Sequence, residues 1–470
     1  MDVKAGGAFG QIEELSFTRS HLKVWFTAGM GFFTDAYDLF VIGVIMAIFD
    51  IYRLPGFYDP SLEAVLASSA IFAAIIGQLL FGRIADIMGR KFIYGIEAAI
   101  LSVGALLSAF SPNIFWLLVF RSILGLGIGG DYPLSATIAS EYSGRKNRGK
   151  LVALVFANQG FGTIAAVAVA IAAVTLFPPD IAWRVAAGVG AIPALLVIYL
   201  RRKLPETPRY SALVKGDYEA ARRAAAVLGA DLEGEAVVAK RIGLGAFIRR
   251  YWITLIAAAV PWFLMDIAFY GTGIYSSSIV SSIIGSSGSI ATTILEAGIP
   301  FLVGVPGYFT AVALIDRVGR KSLQMAGFLG MAAIYTYMGY LLAVTGGDIA
   351  RAIPASMALG IYSLSFFAID AGPNTTTFVI PSEVFPVRYR TTGHGISAAM
   401  GKLGAGISTL LLIPYLKSTY GLPATLYVLA LVSALGAAVT LMLREPARRT
   451  LEEASMEELV PEAVPQAPLP

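Results

Sequence analysis

An aspartate stands at the centre of a glycine-rich apolar stretch of this 470-residue chain. Residues 121–141 read RSILGLGIGGDYPLSATIASE, with Asp131 and Tyr132 in the middle. A carboxylate at the middle of a membrane helix costs about 2.5–3.5 kcal/mol on insertion scales, and such residues usually face a cavity that handles ions, protons or substrate. Asp131 therefore indicates a polar pathway through a membrane.

A second stretch places three polar side chains at helical spacing. Trp262, Asp266 and Tyr270 lie four residues apart, so on a helix successive members are rotated by only about 40°. One helix face thus offers an indole N–H, a carboxyl and a phenol to a single cavity. Isolated aromatic residues in such a run are typical of core packing or of the membrane interface. The acid between these two favours a polar cavity.

Two amides are further candidates for the same cavity. Gln159 lies within VFANQGFGTIA (155–165), and Asn374 follows Gly372 and Pro373. A buried amide needs hydrogen-bond partners, and the alternative to a substrate contact is a hydrogen bond between helices. The Gly-Pro pair predicts a helix break, and irregular backbone at membrane depth occurs where it packs in protein or lines a cavity. This break favours a site role for Asn374.

Three charged residues in apolar runs are candidates for proton coupling. Asp35 and Asp38 lie three residues apart on one helix face, and neighbouring carboxylates in a low-dielectric medium resist double ionisation. The alternative for both acids is hydrogen bonding between helices. Lys402 is an unusual buried cation. It either neutralises an acid such as Asp35 or Asp131 in one conformation, or it forms a permanent ion pair.

The composition of the chain is that of a membrane protein. It is 57% hydrophobic and 14% charged, with a mean hydropathy of +0.72, whereas soluble domains carry about 25% charged residues. Apolar runs of about 20 residues recur along the chain, and each is long enough to cross a bilayer as a helix. We therefore predict twelve membrane-spanning helices, near residues 22–50, 62–82, 92–112, 114–138, 150–177, 182–200, 251–281, 292–315, 322–345, 352–380, 391–417 and 422–443.

Basic residues predict the orientation of these helices. With both chain ends on one side, 29 of the 35 Lys and Arg residues fall in segments on that side. Because cytoplasmic loops carry the excess of basic residues, we expect both termini in the cytoplasm and a multi-pass protein of the plasma (cytoplasmic) membrane. The net charge of +4 reflects this bias and does not indicate nucleic-acid binding. The first 20 residues lack the apolar core of a cleavable signal peptide.

An internal repeat predicts the architecture. The loops GRIADIMGRK (82–91) and VALIDRVGRK (312–321) place Asp86 and Asp316 about half a chain apart. Two six-helix halves related in this way are expected to hold a substrate at their interface, near the membrane midplane. We predict a cytoplasmic segment 1–21, an N-terminal bundle 22–200, a cytoplasmic linker 201–249, a C-terminal bundle 250–444 and a cytoplasmic tail 445–470.

A second pair of charged segments also repeats after half a chain. In each, an acid precedes an arginine by seven residues. We interpret the repeated loops as a gate that locks the halves together on the cytoplasmic side, and the alternative is a tight turn with basic anchors. The acids favour the gate, because orientation alone requires none. The gate residues are Asp86, Arg90, Glu141, Arg148, Asp316, Arg320, Glu383 and Arg390.

The duplicated D-x-x-G-R-K loops resemble the signature of the major facilitator superfamily. Within it, GFFTDAYDLFVIG (31–43), GGDYPLSATIASE (129–141), WFLMDIAFYG (262–271) and GPNTTTFVIPSEVFPVRYRTTGHGISAAMGK (372–402) are similar to the phosphate:proton symporter family. The resemblance extends from about residue 25 to 445. It implies an all-α membrane protein whose twelve transmembrane helices form two pseudo-symmetric six-helix bundles.

The resemblance also implies a function and a site. It implies a proton-coupled secondary transporter that imports inorganic phosphate by alternating access, without a cofactor, as a monomer in the lipid bilayer. It assigns substrate binding to Tyr132, Gln159, Trp262, Asp266, Tyr270 and Asn374. It adds Asp131 and Glu97 to the proton-coupling candidates, although Glu97 lies near the cytoplasmic end of its run and extension of its side chain to the surface is the alternative.

Phosphate chemistry explains why a site for an anion contains acids. Dihydrogen phosphate has two O–H donors besides its acceptor oxygens, so a carboxylate accepts from the former and a protonated carboxyl donates to the latter. Because no arginine lies beside Trp262–Tyr270, we expect neutral donors and a protonated acid to bind the anion. Ionised Asp266 or Asp131 repels it, so proton and anion bind together, which is the differential binding that coupling requires.

Three other functions remain open at this stage. The D-x-x-D pair of the first span is also typical of symporters for aromatic and other organic acids, and LPETPRY (204–210) resembles the linker motif of sugar porters. A receptor that senses phosphate through the same cavity is the third. An enzyme is not expected, because the chain shows no Walker motif, no metal cluster and no nucleophile paired with either of its two histidines.

Overall fold

The computed structural model describes residues 8–233, 236–285 and 289–462, which are helical almost throughout. In this described part, eleven helices are long and apolar enough to cross a membrane. The last of them, Val387–Thr440, has 54 residues and would extend about 80 Å as one straight helix. Gly421 interrupts it with a φ of +79°. It therefore crosses twice, which confirms the prediction of an all-α fold with twelve spans.

We number the spans in chain order. Spans 1 to 6 are Arg19–Tyr52, Glu63–Met88, Arg90–Ala109, Ile114–Glu141, Arg148–Leu176 and Pro179–Lys203. Spans 7 to 10 are Leu244–Ile274, Ala291–Val318, Arg320–Val344 and Ala355–Val384, and spans 11 and 12 lie within Val387–Thr440 on either side of Gly421.

Several spans are built from shorter pieces. Span 3 joins Arg90–Ile93 to Ile96–Ala109, span 6 joins Pro179–Val189 to Ala191–Lys203, and span 10 joins Ala355–Ala371, Pro373–Val379 and Pro381–Val384. Span 11 comprises the 3-10 turn Val387–Tyr389, the helix Arg390–Ile407 and the π turn Ser408–Leu412, which the helix Ile413–Thr440 follows. Outside the spans lie Gly10–Glu14, the π turn Tyr210–Val214, Tyr218–Ala226, Ser276–Ile284, the 3-10 turn Ile349–Arg351 and Leu451–Ala454.

The predicted position of span 7, near 251–281, was wrong at its end. The helix begins at Leu244 and stops at Ile274, and Ser276–Ile284 forms a separate short helix. Tyr275 leaves the helical conformation (φ −94°, ψ 20°), and the Ser276 hydroxyl donates to the carbonyl of Ala297 at 2.7 Å. Three serines, Ser276–Ser278, follow this break and interrupt the apolar run, a signal that the predicted span 251–281 passed over.

The twelve spans pack as two similar halves. Spans 2 and 11 pack against each other across the interface, as do spans 8 and 5, which occupy the equivalent positions in the repeat. Close approach requires glycine here: a Cβ on Gly82 would lie 2.7 Å from the Thr391 carbonyl oxygen, and one on Gly395 would lie 2.4 Å from that of Gln78. The interface between the halves is therefore tightly packed helix against helix.

The two D-x-x-G-R-K loops form the same turn. Gly89 and Gly319 adopt φ values of +112° and +95°, a conformation that only glycine adopts readily. Glu206 and Glu445 approach these glycines and accept from the backbone N–H groups of Lys91, at 3.3 Å, and Lys321, at 2.9 Å. These two acids follow spans 6 and 12. They complete the turns and belong to the same repeat.

The linker and the tail meet at the end of the bundle that also carries Gly10–Glu14. The strand Val237–Ala239 pairs antiparallel with Leu459–Pro461, with Val238 opposite Val460. The sequence analysis did not predict this pairing. We name this the basic end, defined by Arg90, Arg148, Arg320 and Arg390, and the other the opposite end.

Candidate functional site

All six candidate substrate ligands lie at the interface between the halves. Each of their side chains is at most 2% exposed. They come from spans 4, 5, 7 and 10, so both halves contribute. The site is therefore buried, with Tyr132 and Gln159 on one side and Trp262, Asp266, Tyr270 and Asn374 on the other.

A lysine occupies the centre of this site. The Lys402 ammonium donates to the Tyr270 hydroxyl at 2.8 Å and lies 3.2 Å from a carboxylate oxygen of Asp266. It also lies 4.7 Å from the ring centroid of Tyr132 in the other half, within cation–π range. In this state Lys402 therefore pairs with Asp266 and with neither Asp35 nor Asp131. The expectation that neutral donors and a protonated acid alone face the substrate was wrong, because span 11 inserts a cation beside span 7.

The two amides are linked by a tyrosine that the sequence analysis missed. Asn374 donates to the Tyr308 hydroxyl at 2.8 Å, and that hydroxyl donates to Gln159 at 3.4 Å across the interface. Asn374 also donates to Asp370 at 2.8 Å. The predicted helix break is present, since span 10 stops at Ala371 and resumes at Pro373. Tyr308 lies in an apolar run without a neighbouring charge, so nothing in the sequence distinguished it from a packing residue.

Aromatic side chains close the site on both sides. Toward the basic end, the Phe378 ring lies 4.4 Å from Phe156 and 4.8 Å from Phe32, centroid to centroid. We name these three rings the inner aromatic layer. Toward the opposite end, the outer aromatic layer places Phe40 5.6 Å from Tyr270 and 5.1 Å from Phe301.

Beyond the outer layer, a cavity of about 710 Å³ opens at the opposite end. Both halves line it, with Asp50 and Glu63 from one and Ser278 and Lys417 from the other. The outer aromatic layer thus separates the buried site from an open mouth.

At the basic end, acids of each half bind the first turn of a helix of the other half. Asp86 accepts from the backbone N–H groups of Thr391 at 3.3 Å and Thr392 at 2.7 Å, where span 11 begins. Asp316 accepts from those of Gly149 at 3.1 Å and Lys150 at 2.8 Å, where span 5 begins. Carboxylates are stabilised at helix N-termini, so both repeats use the same contact to hold the halves together.

Arginines connect these acids to the glutamates of the second repeated motif. Arg90 lies 3.2 Å from both Asp86 and Glu141, and Arg390 of the other half also binds Glu141, at 2.8 Å. The equivalent Arg320 lies 2.9 Å from Asp316 and 2.6 Å from Glu383. These contacts bring together seven of the eight predicted gate residues.

The eighth, Arg148, breaks the symmetry. By analogy with Arg390 it would bind Glu383, but its partner is Glu13 of the N-terminal segment, at 2.7 Å. Glu13 also binds Arg209 of the linker, and Arg209 binds Glu452 of the tail at 2.9 Å. Although burial opposes it, the charge of Arg209 lowers the pKa of Glu452. The sequence analysis missed this three-segment contact.

We expect Asp316→Asn to raise the equilibrium constant for opening of the basic end about tenfold. A helix-capping charge contributes about 0.5–2 kcal/mol, and the variant loses that charge. The chain has no cysteine, so Ser382→Cys adds the only thiol. Ser382 is fully buried and its carbonyl accepts from the Ser140 hydroxyl at 3.0 Å across the interface. Thiol labelling of Ser382→Cys should accelerate with Asp316→Asn. It should not accelerate with Asp348→Asn, an exposed acid in a local pair with Arg351; equal labelling with both would contradict the gate.

Two buried acids of span 1, Asp35 and Asp38, have no side-chain partners among the described residues. Asp35 and Asp38 are each 1% exposed, and none of their four carboxylate oxygens has a hydrogen-bond partner within the described residues. Arg121 approaches Asp38 but donates to its backbone carbonyl, at 2.7 Å. An isolated buried carboxylate carries a large desolvation cost in its ionised form. Both acids thus have the environment of groups that hold a proton.

The other two candidate proton-coupling acids share one arginine. Arg201 lies 2.8 Å from Glu97 and 2.8 Å from Asp131. Glu97 is fully buried, so its side chain does not extend to the membrane surface. Arg201 is the first residue of the predicted linker 201–249. It stands in the run Arg201–Lys203 at the end of an apolar span, which is also the pattern of basic anchors.

Comparisons with known proteins agree with this architecture. Residues 24–457 match the family model "Sugar (and other) transporter". A "Probable inorganic phosphate transporter 1-6" of Arabidopsis thaliana is 37% identical over 93% of this chain and 94% of its own length. A "Low affinity inorganic phosphate transporter 1" of Petunia hybrida is 37% identical, with 93% of each chain covered.

A solved structure with a similar fold is the proton:xylose symporter XylE bound to 6-bromo-6-deoxy-D-glucose. It has a TM-score of 0.77 and is 20% identical, covering 93% of this chain and 98% of that one. The predicted twelve-helix fold of two halves is thereby confirmed.

Proposed function

We propose that this chain, which belongs to the phosphate:proton symporter family of the major facilitator superfamily, imports inorganic phosphate together with protons by alternating access. The observation that carries the proposal is the buried interfacial site in which Lys402 faces Asp266, Tyr270 and Tyr132. The phosphate-transporter relatives support the choice of cargo. Each polypeptide contains both halves of the site, which supports a monomer.

Phosphate binds by replacing ion pairs and hydrogen bonds that the residues of the site form with one another. Moving an anion into a buried site requires a counter-charge, and the Lys402 ammonium supplies one. In the absence of cargo, Asp266 satisfies this ammonium. When dihydrogen phosphate enters, Lys402 donates to a phosphate oxygen and the Asp266 carboxylate accepts a phosphate O–H. The hydroxyls of Tyr132 and Tyr270 and the amides of Gln159 and Asn374 complete the shell of neutral donors and acceptors.

The orientation of the protein in the membrane follows from the distribution of its basic residues. We place the basic end in the cytoplasm, because cytoplasmic loops carry the excess of Lys and Arg, and we place the protein in the plasma membrane with both termini inside. The described state is then closed to the cytoplasm by the two caps at Asp86 and Asp316 and has its cavity toward the outside. Movement of Phe40 and Phe301 in the outer aromatic layer admits phosphate from this cavity.

Proton coupling rests on Asp35. Its carboxyl is buried without a partner, so the neutral form is the stable one in this state. Loss of that proton toward the cytoplasm would leave an isolated charge and therefore requires the rearrangement that opens the basic end. Each charge moved inward is driven by about 2.3 kcal/mol per 100 mV of membrane potential. Protons that accompany the phosphate anion thus supply the energy for accumulation.

Labelled phosphate uptake into proteoliposomes of the purified chain tests the proposal. We expect an inside-alkaline pH gradient to drive accumulation, and a protonophore that collapses the gradient to abolish it. Arsenate has nearly the same shape and charge as phosphate and should compete, whereas benzoate and glucose should not. Competition by benzoate or glucose would indicate an organic-acid or sugar porter. Binding without accumulation, indifferent to the gradient, would indicate a receptor.

A further inference from the structure

The strongest unexplained feature of the structure is the buried cluster around Arg201. The Arg201 side chain is 1% exposed, although it belongs to the last turn of span 6 at the basic end. Its guanidinium bridges Glu97 of span 3 and Asp131 of span 4, at 2.8 Å each. One guanidinium thus pairs with two carboxylates, so the cluster has a net negative charge when both are ionised.

Unsatisfied groups on Arg201 and Asp35 are complementary. The Arg201 Nε–H group is buried without an acceptor among the described residues, and both oxygens of Asp35 are buried without a donor. An unpaired buried donor and an unpaired buried acceptor are each costly. A rotation of the guanidinium toward Asp35 would satisfy both.

Gly31 places these groups next to each other. A Cβ on Gly31 would lie 1.8 Å from Arg201 Nη2 and 1.9 Å from the Asp131 oxygen that binds it. The Arg201–Asp131 ion pair therefore packs directly against the backbone of span 1 at Gly31. Asp35 follows Gly31 by four residues and lies on the same helix face, one turn farther from the basic end. The guanidinium needs to move by about one helix turn to reach it.

We propose that Arg201 is the positioning residue that carries the counter-charge between the proton-coupling acids, an inference that rests on the function proposed above. In the described state it pairs with both Asp131 and Glu97, and Asp35 holds the proton. When Asp35 releases its proton, the guanidinium turns to the new carboxylate, and Asp131 takes up the proton and passes it toward Glu97 and the cytoplasm. The charged and titratable groups that face this cluster are Asp35 and Asp38 of span 1, Tyr94 and Glu97 of span 3, Asp131 and Tyr132 of span 4 and Lys402 of span 11.

Proteoliposomes containing Arg201→Gln test the proposal. Phosphate exchange, with equal phosphate and pH on both sides, needs no net proton release and should stay within threefold of the parent. Net uptake driven by a pH gradient should fall at least tenfold, and its dependence on pH should flatten. Arg201→Lys keeps the charge and should restore the pH dependence. Equal losses of exchange and net uptake, with an unchanged pH profile, would reduce Arg201 to a structural residue.

Gly31→Ala provides a second variant, should Arg201→Gln fail to fold. It removes no charge but places a methyl group where the guanidinium binds Asp131, so we expect the same loss of net uptake relative to exchange. Gly360→Ala is its matched control, because a Cβ there meets nothing within 4 Å. Equal behaviour of the two alanine variants would overturn the proposal.

A measurement without substrate separates this proposal from the proposed function. In the otherwise unchanged protein, the labelling rate of Ser382→Cys, corrected for the pH-dependent thiolate fraction of the thiol itself, should vary with pH even without phosphate, since protonation of the cluster controls opening. In Arg201→Gln it should be independent of pH. If the parent protein accumulates no phosphate, the proposed function fails. The dependence of Ser382→Cys labelling on pH still tests the role of Arg201 in that case. If Arg201→Gln leaves this pH dependence unchanged, the proposed role of Arg201 is excluded.

Discussion

Asp266→Asn is expected to reduce phosphate uptake by at least about 100-fold. Lys402 is buried, and its charged partner is the Asp266 carboxylate at 3.2 Å. Removal of one partner from a buried ion pair costs about 3–5 kcal/mol, because the other charge remains uncompensated, and 1.4 kcal/mol corresponds to a factor of ten. The amide also accepts a phosphate O–H less strongly than a carboxylate does. Initial rates of labelled phosphate uptake, per amount of protein reconstituted, measure the effect.

Two further variants distinguish loss of binding from loss of folding. Asp50→Asn makes the same chemical change at an exposed acid that lines the mouth of the cavity, and it should transport normally. Asp266→Asn combined with Lys402→Met removes both buried charges, so it should recover thermal stability while uptake stays absent. Wild-type uptake by Asp266→Asn would remove this acid from the site.

The overall fold could be predicted because its determinants are local. Apolar runs of about 20 residues define the spans. The repeat of Asp86 and Asp316 predicted two similar halves. The end of span 7 was misplaced, because the apolar residues of the next short helix, Ser276–Ile284, extended the predicted span past three serines. Helix breaks within such runs depend on tertiary hydrogen bonds such as that of Ser276.

The site could be predicted where its residues share one helix. Asp266 and Tyr270 were placed on one face by their spacing, and both contact Lys402. Contacts between spans that are far apart in the sequence could not be predicted from helical spacing. Tyr308 resembles a packing residue, and Arg201 resembles a basic anchor, so their sequence surroundings do not reveal that each is buried. Glu13 lies before the first span, where neither periodicity nor spacing relates it to Arg148.

Asp35→Asn is expected to abolish proton-driven accumulation while phosphate exchange continues. In the described state the Asp35 carboxyl is buried and has no partner, which fits a neutral acid. Asparagine has nearly the same shape and no charge, so it should occupy the site without disturbing it. It can neither release nor bind a proton, however, and the carrier loses the step that couples transport to the pH gradient.

The measurement compares net uptake with exchange over a range of pH. For Asp35→Asn we expect exchange within a few fold of the parent at every pH, and net accumulation reduced to that of liposomes with no imposed gradient. Asp50→Asn is the control, because it makes the same chemical change on span 1 at an exposed acid that pairs with Arg53, away from the Arg201 cluster. It should retain gradient-driven uptake. If Asp35→Asn keeps the pH dependence of the parent, then the proton is carried elsewhere, and Asp131 becomes the acid to test next.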